Sequence, residues 1–440
     1  MSSENAKKIS VVGLGKLGAP LAAVMAQVGH EVWGMDLNPE AVKKINEGIA
    51  PVQEPQLQDF IAQSAGRLKA TCDMAEAISA TDITFVIVPT PSQQDGSFSN
   101  DYIVAALTAV GESLRAKTGY HLVVISSTVM PGSMDSEILE ALAHASGKVI
   151  GSSDLGLCYN PEFIALGNVI NNMQHPDFLL IGESDPRAGD LLESLHASVC
   201  QNTPAYHRMN FINAEITKIS VNTYVTTKIS YANMLAEVCE NLPGADVDVV
   251  TDAVGSDSRI GKKYLKGAIG YGGPCFPRDN KAFAVMAERL GAAGDIAVAT
   301  DSINDRQVDR MVNIIGKHTA KGACVAVLGL AYKPDTPEVE QSQGIQLCER
   351  LKALGFDVYA HDPQANGYAA QQLDGIATIA DTSTAALARA ETVIIVTPWQ
   401  EYGVLEFSGG NQRLVDPWGI FDVAQLPEAM AYIPMGRMAK

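Results

Sequence analysis

With 440 residues, 47% of them hydrophobic, the chain is too long for one ordinary core and reads as two or three folded domains, not as a disordered polymer. Its 50 Asp and Glu against 32 Lys and Arg leave a formal net charge of −18. Such a surface repels phosphate backbones and anionic lipid, which excludes nucleic acid and membranes as expected partners.

Seven cysteines, an odd count without a CxxC pair, suggest neither a disulfide framework nor a metal site. The opening MSSENAKK has no apolar core for a leader peptide. The longest apolar runs are strand-sized, far short of a membrane span. A reducing cytoplasm is the expected location.

Residues 9–14 (ISVVGL) form an apolar strand ending in glycine, followed by a helix over 19–28 and a second strand over 31–35. Gly13-Leu14-Gly15-Lys16-Leu17-Gly18 fits G-x-G-x-x-G between that strand and helix. The first glycine permits the tight turn, the second lets a pyrophosphate approach the backbone, and the third lets helix pack on strand. Asp36 ends the second strand, where an acid hydrogen-bonds a ribose 2′-hydroxyl and repels a 2′-phosphate. NAD is therefore expected rather than NADP. Further buried strands are predicted over 83–88, 122–126 and 179–181, which implies a doubly wound, mostly parallel sheet. Ser127-Thr128-Val129-Met130-Pro131-Gly132 and Asn160-Pro161-Glu162-Phe163 place polar groups at strand ends, where open α/β sheets bind ligands.

From residue 211 to about 241 the spacing predicts one long helix, with Ile212, Ile216, Ile219, Tyr224, Ile229, Met234, Leu235 and Val238 recurring at helical intervals. Lys218 and Asn222, four apart, share a face and can reach one ligand; on spacing alone they could equally be a solvated stripe. A helix of this length can join domains and offer a dimer surface. The next unusual stretch is Gly270-Tyr271-Gly272-Gly273-Pro274-Cys275-Phe276-Pro277-Arg278-Asp279. Its glycines suggest close approach of a substrate to backbone and thiol, and a neighbouring cation favours the thiolate. The other six cysteines read as structural. A strand-to-glycine turn returns at 323–330, with later strands over 357–360, 393–397 and 414–415, which implies a second, smaller α/β unit.

Taken in order, these stretches resemble the UDP-glucose/GDP-mannose dehydrogenase family over nearly the whole chain. The resemblance includes GLGKLG with Asp36, Glu54-Pro55, Pro89-Thr90-Pro91, STVMPG and NPEF. It continues through Ala214-Glu215, Lys218 and Asn222, then Asp257 with Arg259-Ile260-Gly261, and GYGGPCFPRD. It ends with Gly329-Leu330-Ala331-Tyr332-Lys333-Pro334 and Thr397-Pro398-Trp399. The fold implied is α/β: two Rossmann-like doubly wound domains joined by a long central helix and a helical dimerisation region. Residues 1–210 would bind NAD, 211–317 would form the central helical domain with the cysteine loop, and 318–440 would bind the nucleotide sugar. A homodimer through the central helix is expected.

The activity implied is oxidation of the C6 hydroxyl of a nucleotide sugar to a carboxylate by two NAD⁺ in turn, with UDP-glucose as the first candidate. The resemblance makes Cys275 the nucleophile that forms a thiohemiacetal and then a thioester. Lys218 and Asn222 become oxyanion donors, Lys218 also a possible base. Thr128 and Asp279 position the hydrolytic water, and Glu162 is its general base. Gly13, Gly15, Leu17, Gly18, Asp36, Thr90, Thr128 and Arg278 would contact NAD. Phe163, Lys218, Asn222, Arg259, Tyr264, Gly272 and Lys333 would contact the sugar nucleotide, Arg259 reaching toward a neighbouring subunit.

Three positions depart from the family pattern. Leu166 stands where many relatives carry a second Glu, Glu340 where an Arg is usual, and Trp418 in Asp416-Pro417-Trp418 where Asp-Gly-Arg is usual. They leave open an N-acetylated hexosamine or GDP-mannose as the sugar nucleotide. Two other readings stay in view. A two-electron β-hydroxyacid dehydrogenase would use the helix Lys and Asn but not the thiol. A non-catalytic NAD- or sugar-binding protein would use neither for chemistry.

Overall fold

The computed structural model describes residues 6–64, 66–407 and 412–438. Residues 1–5, part of the segment read for a leader, lie outside them. The chain divides into two compact units, Met1–Ser220 and Val221–Lys440.

The first unit is built on an eight-stranded sheet: β1 (Lys8–Val12), β2 (Glu31–Met35), β3 (Leu68–Thr71), β4 (Ile83–Val86), β5 (His121–Ile125), β6 (Leu155–Tyr159), β7 (Phe178–Glu183) and β8 (Ala205–Met209). The order is β3-β2-β1-β4-β5-β6-β7-β8, and only the β6–β7 pair is antiparallel. Successive residues split between the two faces. Ile9, Val11, Leu122 and Val124 enter one core, while Val12, Val123 and Ile125 enter the other. This is the period-two alternation of a strand covered by helices on both faces, and it explains why these strands read as continuous apolar runs.

The second unit holds a six-stranded, wholly parallel sheet: β9 (Cys324–Leu328), β10 (Asp357–His361), β11 (Thr378–Ile379), β12 (Thr392–Ile395), β13 (Arg413–Asp416) and β14 (Ala431–Pro434). Its order, β11-β10-β9-β12-β13-β14, repeats the β3-β2-β1-β4 opening of the first. The order reverses between β1 and β4, and again between β9 and β12, the switch points where such sheets receive ligands.

The expected helix over 19–28 is Gly18–Gln27, and the long central helix is Phe211–Glu240. At 1.5 Å per residue the latter spans about 45 Å. Strands β3, β6, β8, β11 and β14 are not predicted by the sequence reading. β8 (AYHRM) is polar and sits at the sheet edge, and β11 has only two residues, so neither carries an apolar run. Among the described residues no helix is long and apolar enough to cross a membrane. Among the same residues no group of three or more His, Cys, Asp or Glu is placed to hold a metal ion.

Candidate active site

At the first switch point each glycine of the turn has a different task. Gly13 lies at φ +98°, and a Cβ there would strike the carbonyl oxygen of Ile87, just after β4. A Cβ on Gly18 would strike the carbonyl oxygen of Gly13, so the helix can start only if residue 18 has no side chain. Gly15 faces open space, with nothing within 4 Å of an ideal Cβ. The turn is thus closed on the protein side by Gly13 and Gly18 and open on the ligand side at Gly15. Leu17 precedes the first helical residue. Asp36 Oδ2 accepts from Leu14 N (2.6 Å) and Oδ1 from Asn38 N (2.8 Å), which ties the acid to the turn. The neighbouring turns are stitched together: Ser127 Oγ donates to Val88 O (2.6 Å) and Thr90 Oγ1 to Thr128 O (2.8 Å). An open cradle at a helix N-terminus beside a half-buried acid fits a pyrophosphate and its ribose.

The first turns of the central helix brace two loops of this unit. Glu215 is wholly buried, and its carboxylate oxygens accept from Gly132 N and Met134 N, both at 2.7 Å. Burial pushes this carboxyl up to about 7, against the pull of the backbone N–H groups. One turn on, buried Lys218 donates from Nζ to Glu162 O (2.7 Å) and stands 4.6 Å from the centroid of the Phe163 ring. A carbonyl oxygen and a ring face thus fix the position of the Lys218 amine. Phe163 in turn packs on Phe178 at 4.7 Å. Burial pushes the Glu162 carboxyl up to about 7, with Lys218 opposing the rise.

Within the second unit the cysteine loop ends at the helix Phe276–Arg289, with Cys275 as its N-cap residue and exposed. The N-terminus of a helix is the positive end of its dipole and favours negative charge nearby. Asp279, in the first turn, is buried; its Oδ2 accepts from Asn222 Nδ2 at 2.6 Å. Its Oδ1 has no hydrogen-bond partner among the described residues and stands 3.7 Å from Arg278 Nε.

Comparison with known proteins joins these parts. Residues 7–200 match the family model for the NAD binding domain of the UDP-glucose/GDP-mannose dehydrogenases, 212–306 its central domain and 326–428 its UDP binding domain. The chain is 35% identical to the UDP-glucose 6-dehydrogenase AglM of Haloferax volcanii, over 93% of its own length and 95% of that protein's. The chain belongs to the UDP-glucose/GDP-mannose dehydrogenase family. It is also 33% identical to a GDP-mannose 6-dehydrogenase of Pseudomonas syringae, covering 81% of this chain and 80% of that one. The solved UDP-glucose dehydrogenase of Pyrobaculum islandicum superposes with a TM-score of 0.90 at 33% identity, over 100% of this chain and 99% of that one. The protein is thus an NAD-dependent nucleotide-sugar 6-dehydrogenase, an oxidoreductase, as the resemblance implied.

The second switch point of the dehydrogenase reuses the first. Gly329 lies at φ +110° against Thr397, and a Cβ on Gly344 would strike the Gly329 carbonyl oxygen, as Gly18 does Gly13. Asp362 stands where Asp36 stands, but it is buried. Its Oδ2 accepts from Leu330 N (2.8 Å), Ala331 N (2.9 Å) and Trp399 Nε1 (3.0 Å). An acid so occupied is closed to a ribose. Five positions separate Gly13 from Gly18, whereas fifteen separate Gly329 from Gly344. The extra segment carries Lys333 and folds onto the cysteine loop, where Glu340 O accepts from Gly273 N (2.9 Å).

That contact gives the loop glycines a second task. They are required by internal packing, beside any approach of a ligand. A Cβ on Gly272 would strike Gln341 O, and one on Gly273 (φ +85°) would come within 2.6 Å of the Tyr332 ring. Because Glu340 contributes its carbonyl to this contact, the departure there leaves it intact. Trp418 likewise has its own structural place, its indole N–H donating to Val396 O (2.9 Å). Leu166 packs at the edge of a core of the first unit.

Of the remaining expected site residues, Tyr264 (φ +62°) lies edge-on to Phe276 at 6.2 Å, on the helix that Cys275 caps. Arg259 is exposed and paired with Asp257. Three bracing groups had no role in the sequence reading, which named Glu54 and Glu215 only within the family motifs and did not name His196. Glu54 accepts from Gly167 N (2.9 Å) and Val169 N (2.8 Å), His196 faces Asn160 Oδ1 at 2.7 Å, and Glu215 holds the 132–134 turn. Each acts across a long sequence separation, so no local pattern announces it.

Proposed function

We propose that this dehydrogenase converts the C6 hydroxyl of UDP-glucose to the carboxylate through a thioester on Cys275. The observation that carries the reading is an exposed thiol at a helix N-terminus, four residues before a buried Asp279 that is held by Asn222 on one oxygen and faces Arg278 with the other. UDP-glucose is preferred over GDP-mannose and UDP-N-acetylhexosamines because AglM and the Pyrobaculum protein, similar over nearly the whole chain, bear that activity in their names.

NAD, held at Gly13, Gly15, Leu17, Gly18, Asp36, Thr90, Thr128 and Arg278, would accept a hydride at each of two oxidations. The first turns the alcohol into an aldehyde: C6 loses the hydride to NAD⁺ and its oxygen loses the proton, for which Lys218 is the candidate base. An aldehyde has no good hydride to give until a nucleophile adds. The Cys275 thiolate adds to the carbonyl carbon and makes a thiohemiacetal. Loss of hydride from that carbon gives the thioester. Water then attacks, the C–S bond breaks, and acid and thiolate are released. Lys218 and Asn222 donate to the oxyanion of each tetrahedral species, a role worth about 3 kcal/mol per donor. Glu162 takes the proton of the attacking water, which Thr128 and Asp279 orient. Phe163, Arg259, Tyr264, Gly272 and Lys333 hold the sugar and diphosphate.

The division of labour follows 1–210, 211–317 and 318–440. We also propose a homodimer through the central helix, supported by its exposed Ile216, Tyr224, Tyr231, Met234 and Val238. A cytoplasmic location is supported by seven free cysteines.

Counting NADH per molecule of sugar tests the chemistry. The wild type is expected to yield two and Cys275→Ser to stop before the acid while still binding NAD. Normal acid production by that variant overturns the covalent route, and one NADH from the wild type restores the two-electron reading. A thermal-shift panel of UDP-glucose, UDP-GlcNAc, UDP-ManNAc and GDP-mannose tests the substrate. A ligand at 100 times its Kd stabilises by about 2.7 kcal/mol, and the largest shift is expected with UDP-glucose.

A further inference from the structure

We propose that Asn304 and Asp301, on the helix Asp295–His318, are positioning residues that hold the Cys275 loop in place for the steps that use the thiol. The proposal rests on the thioester reading above. Tyr271 lies four residues before Cys275 and is gripped at both ends of its peptide by one side chain. Asn304 Oδ1 accepts from Tyr271 N (2.7 Å) and Asn304 Nδ2 donates to Tyr271 O (3.0 Å). An acceptor and a donor at this spacing are what a carboxamide supplies and a carboxylate or hydroxyl does not. One turn earlier on the same helix, Asp301 Oδ1 accepts from Tyr271 Oη at 2.7 Å. The Tyr271 ring stands edge-on to Phe276 at 6.3 Å, the first residue of the helix that Cys275 caps.

Three further facts single out this clamp. Asn304 and Tyr271 are both buried, so water does not compete for their bonds. A Cβ on Gly270 would collide with Asn304 Oδ1, so the residue before Tyr271 must be glycine for the clamp to close. Cys275 itself is exposed, and the buried loop before it is one of the elements that set its position. The first hydride transfer needs no thiol. The second needs the sulfur already bonded to the carbonyl carbon, and a misplacement of about 1 Å can cost about 10²-fold. Loosening the clamp should thus separate the two oxidations.

The test compares the full-length wild type with Asn304→Ala and Tyr271→Phe in the presence of NAD and UDP-glucose. The rate of the first NADH, the NADH yield per sugar and iodoacetamide labelling of the Cys275 peptide are read, with exposed Cys72 as internal control. Asn304→Ala is expected to keep the first NADH within about twofold and to slow the second by about tenfold or more. It is expected to release aldehyde, and to change Cys275 labelling at least threefold with Cys72 unmoved. Tyr271→Phe should shift the same readouts less. Equal slowing of both oxidations, or unchanged yield and labelling in both variants, overturns the proposal. If Asn304→Ala does not fold, Tyr271→Phe decides by the same criteria. If the wild type reduces no NAD with any nucleotide sugar, the functional reading fails, and the labelling comparison still decides the clamp.

Discussion

Glu162 shows how a residue acquires its chemistry from its surroundings. Its backbone carbonyl anchors Lys218, while burial pushes its own carboxyl from an ordinary 4.5 up to about 7. A base with this affinity works near neutral pH, where it is both available and strong enough to take a proton from water. Below about 7 the carboxyl is protonated and cannot. Thioester hydrolysis should therefore slow as pH falls through 7, close to tenfold for each unit beneath it, and acyl-enzyme should accumulate and be visible by intact mass. Glu162→Gln should accumulate it at every pH, with turnover reduced about 10²- to 10⁴-fold. A flat pH profile for hydrolysis would remove Glu162 from the role. The stability sign is opposite. A raised folded-state value contributes stability that is fully present below 4.5 and is lost as pH rises through about 7.

The glycine turns show what an element decides. The three glycines of the first turn look alike in sequence, yet only Gly15 faces open space, while Gly18 is pressed on the Gly13 carbonyl. Gly15→Ala is therefore expected to raise KM for NAD with Tm nearly unchanged. Gly18→Ala is expected to lower Tm by several degrees through backbone displacement, as a cost of roughly 1–3 kcal/mol implies. Equal effects on Tm would contradict the assignment. The glycines of the cysteine loop teach the same lesson in reverse. Their spacing suggested ligand access, and the structure adds that Gly272 and Gly273 lay that loop against Gln341 and Tyr332.

At the scale of the whole molecule the central helix is inside out. Lys218, Asn222, Thr226, Ser230 and Asn233 form a buried polar stripe at near four-residue intervals. Asn222 reaches Asp279, Ser230 donates to Thr300 O, and Asn233 pairs with Ile269 O and Ala268 N. Meanwhile Tyr224, read as part of the apolar pattern, and Tyr231, which was not, are 62% and 45% exposed. The exposed apolar stripe is the surface on which the proposed homodimer would form. Tyr224→Asp with Tyr231→Asp is expected to shift the protein from dimer to monomer in sedimentation velocity at micromolar concentration. A wild type that sediments as a monomer would dismiss the dimer.

What the sequence determined by itself is substantial and of one kind. Strand-to-glycine turns, an acid ending the second strand, a thirty-residue helical pattern and an unusual cysteine loop are local signals. Backbone sterics and side-chain periodicity act within a few residues, so fold class, cofactor and the unusual setting of Cys275 were legible. The tertiary structure decided everything that depends on partners distant in the chain. It buried Lys218 and Asn222, which spacing alone left as a possible solvated stripe. It closed Asp362 with Trp399, although Asp36 and Asp362 follow equivalent strands. It found Glu54, Glu215 and Asn304 as braces for loops tens of residues away. The physical reason is that a buried polar group must find its partner wherever the fold brings one, and that distance is not written in local sequence.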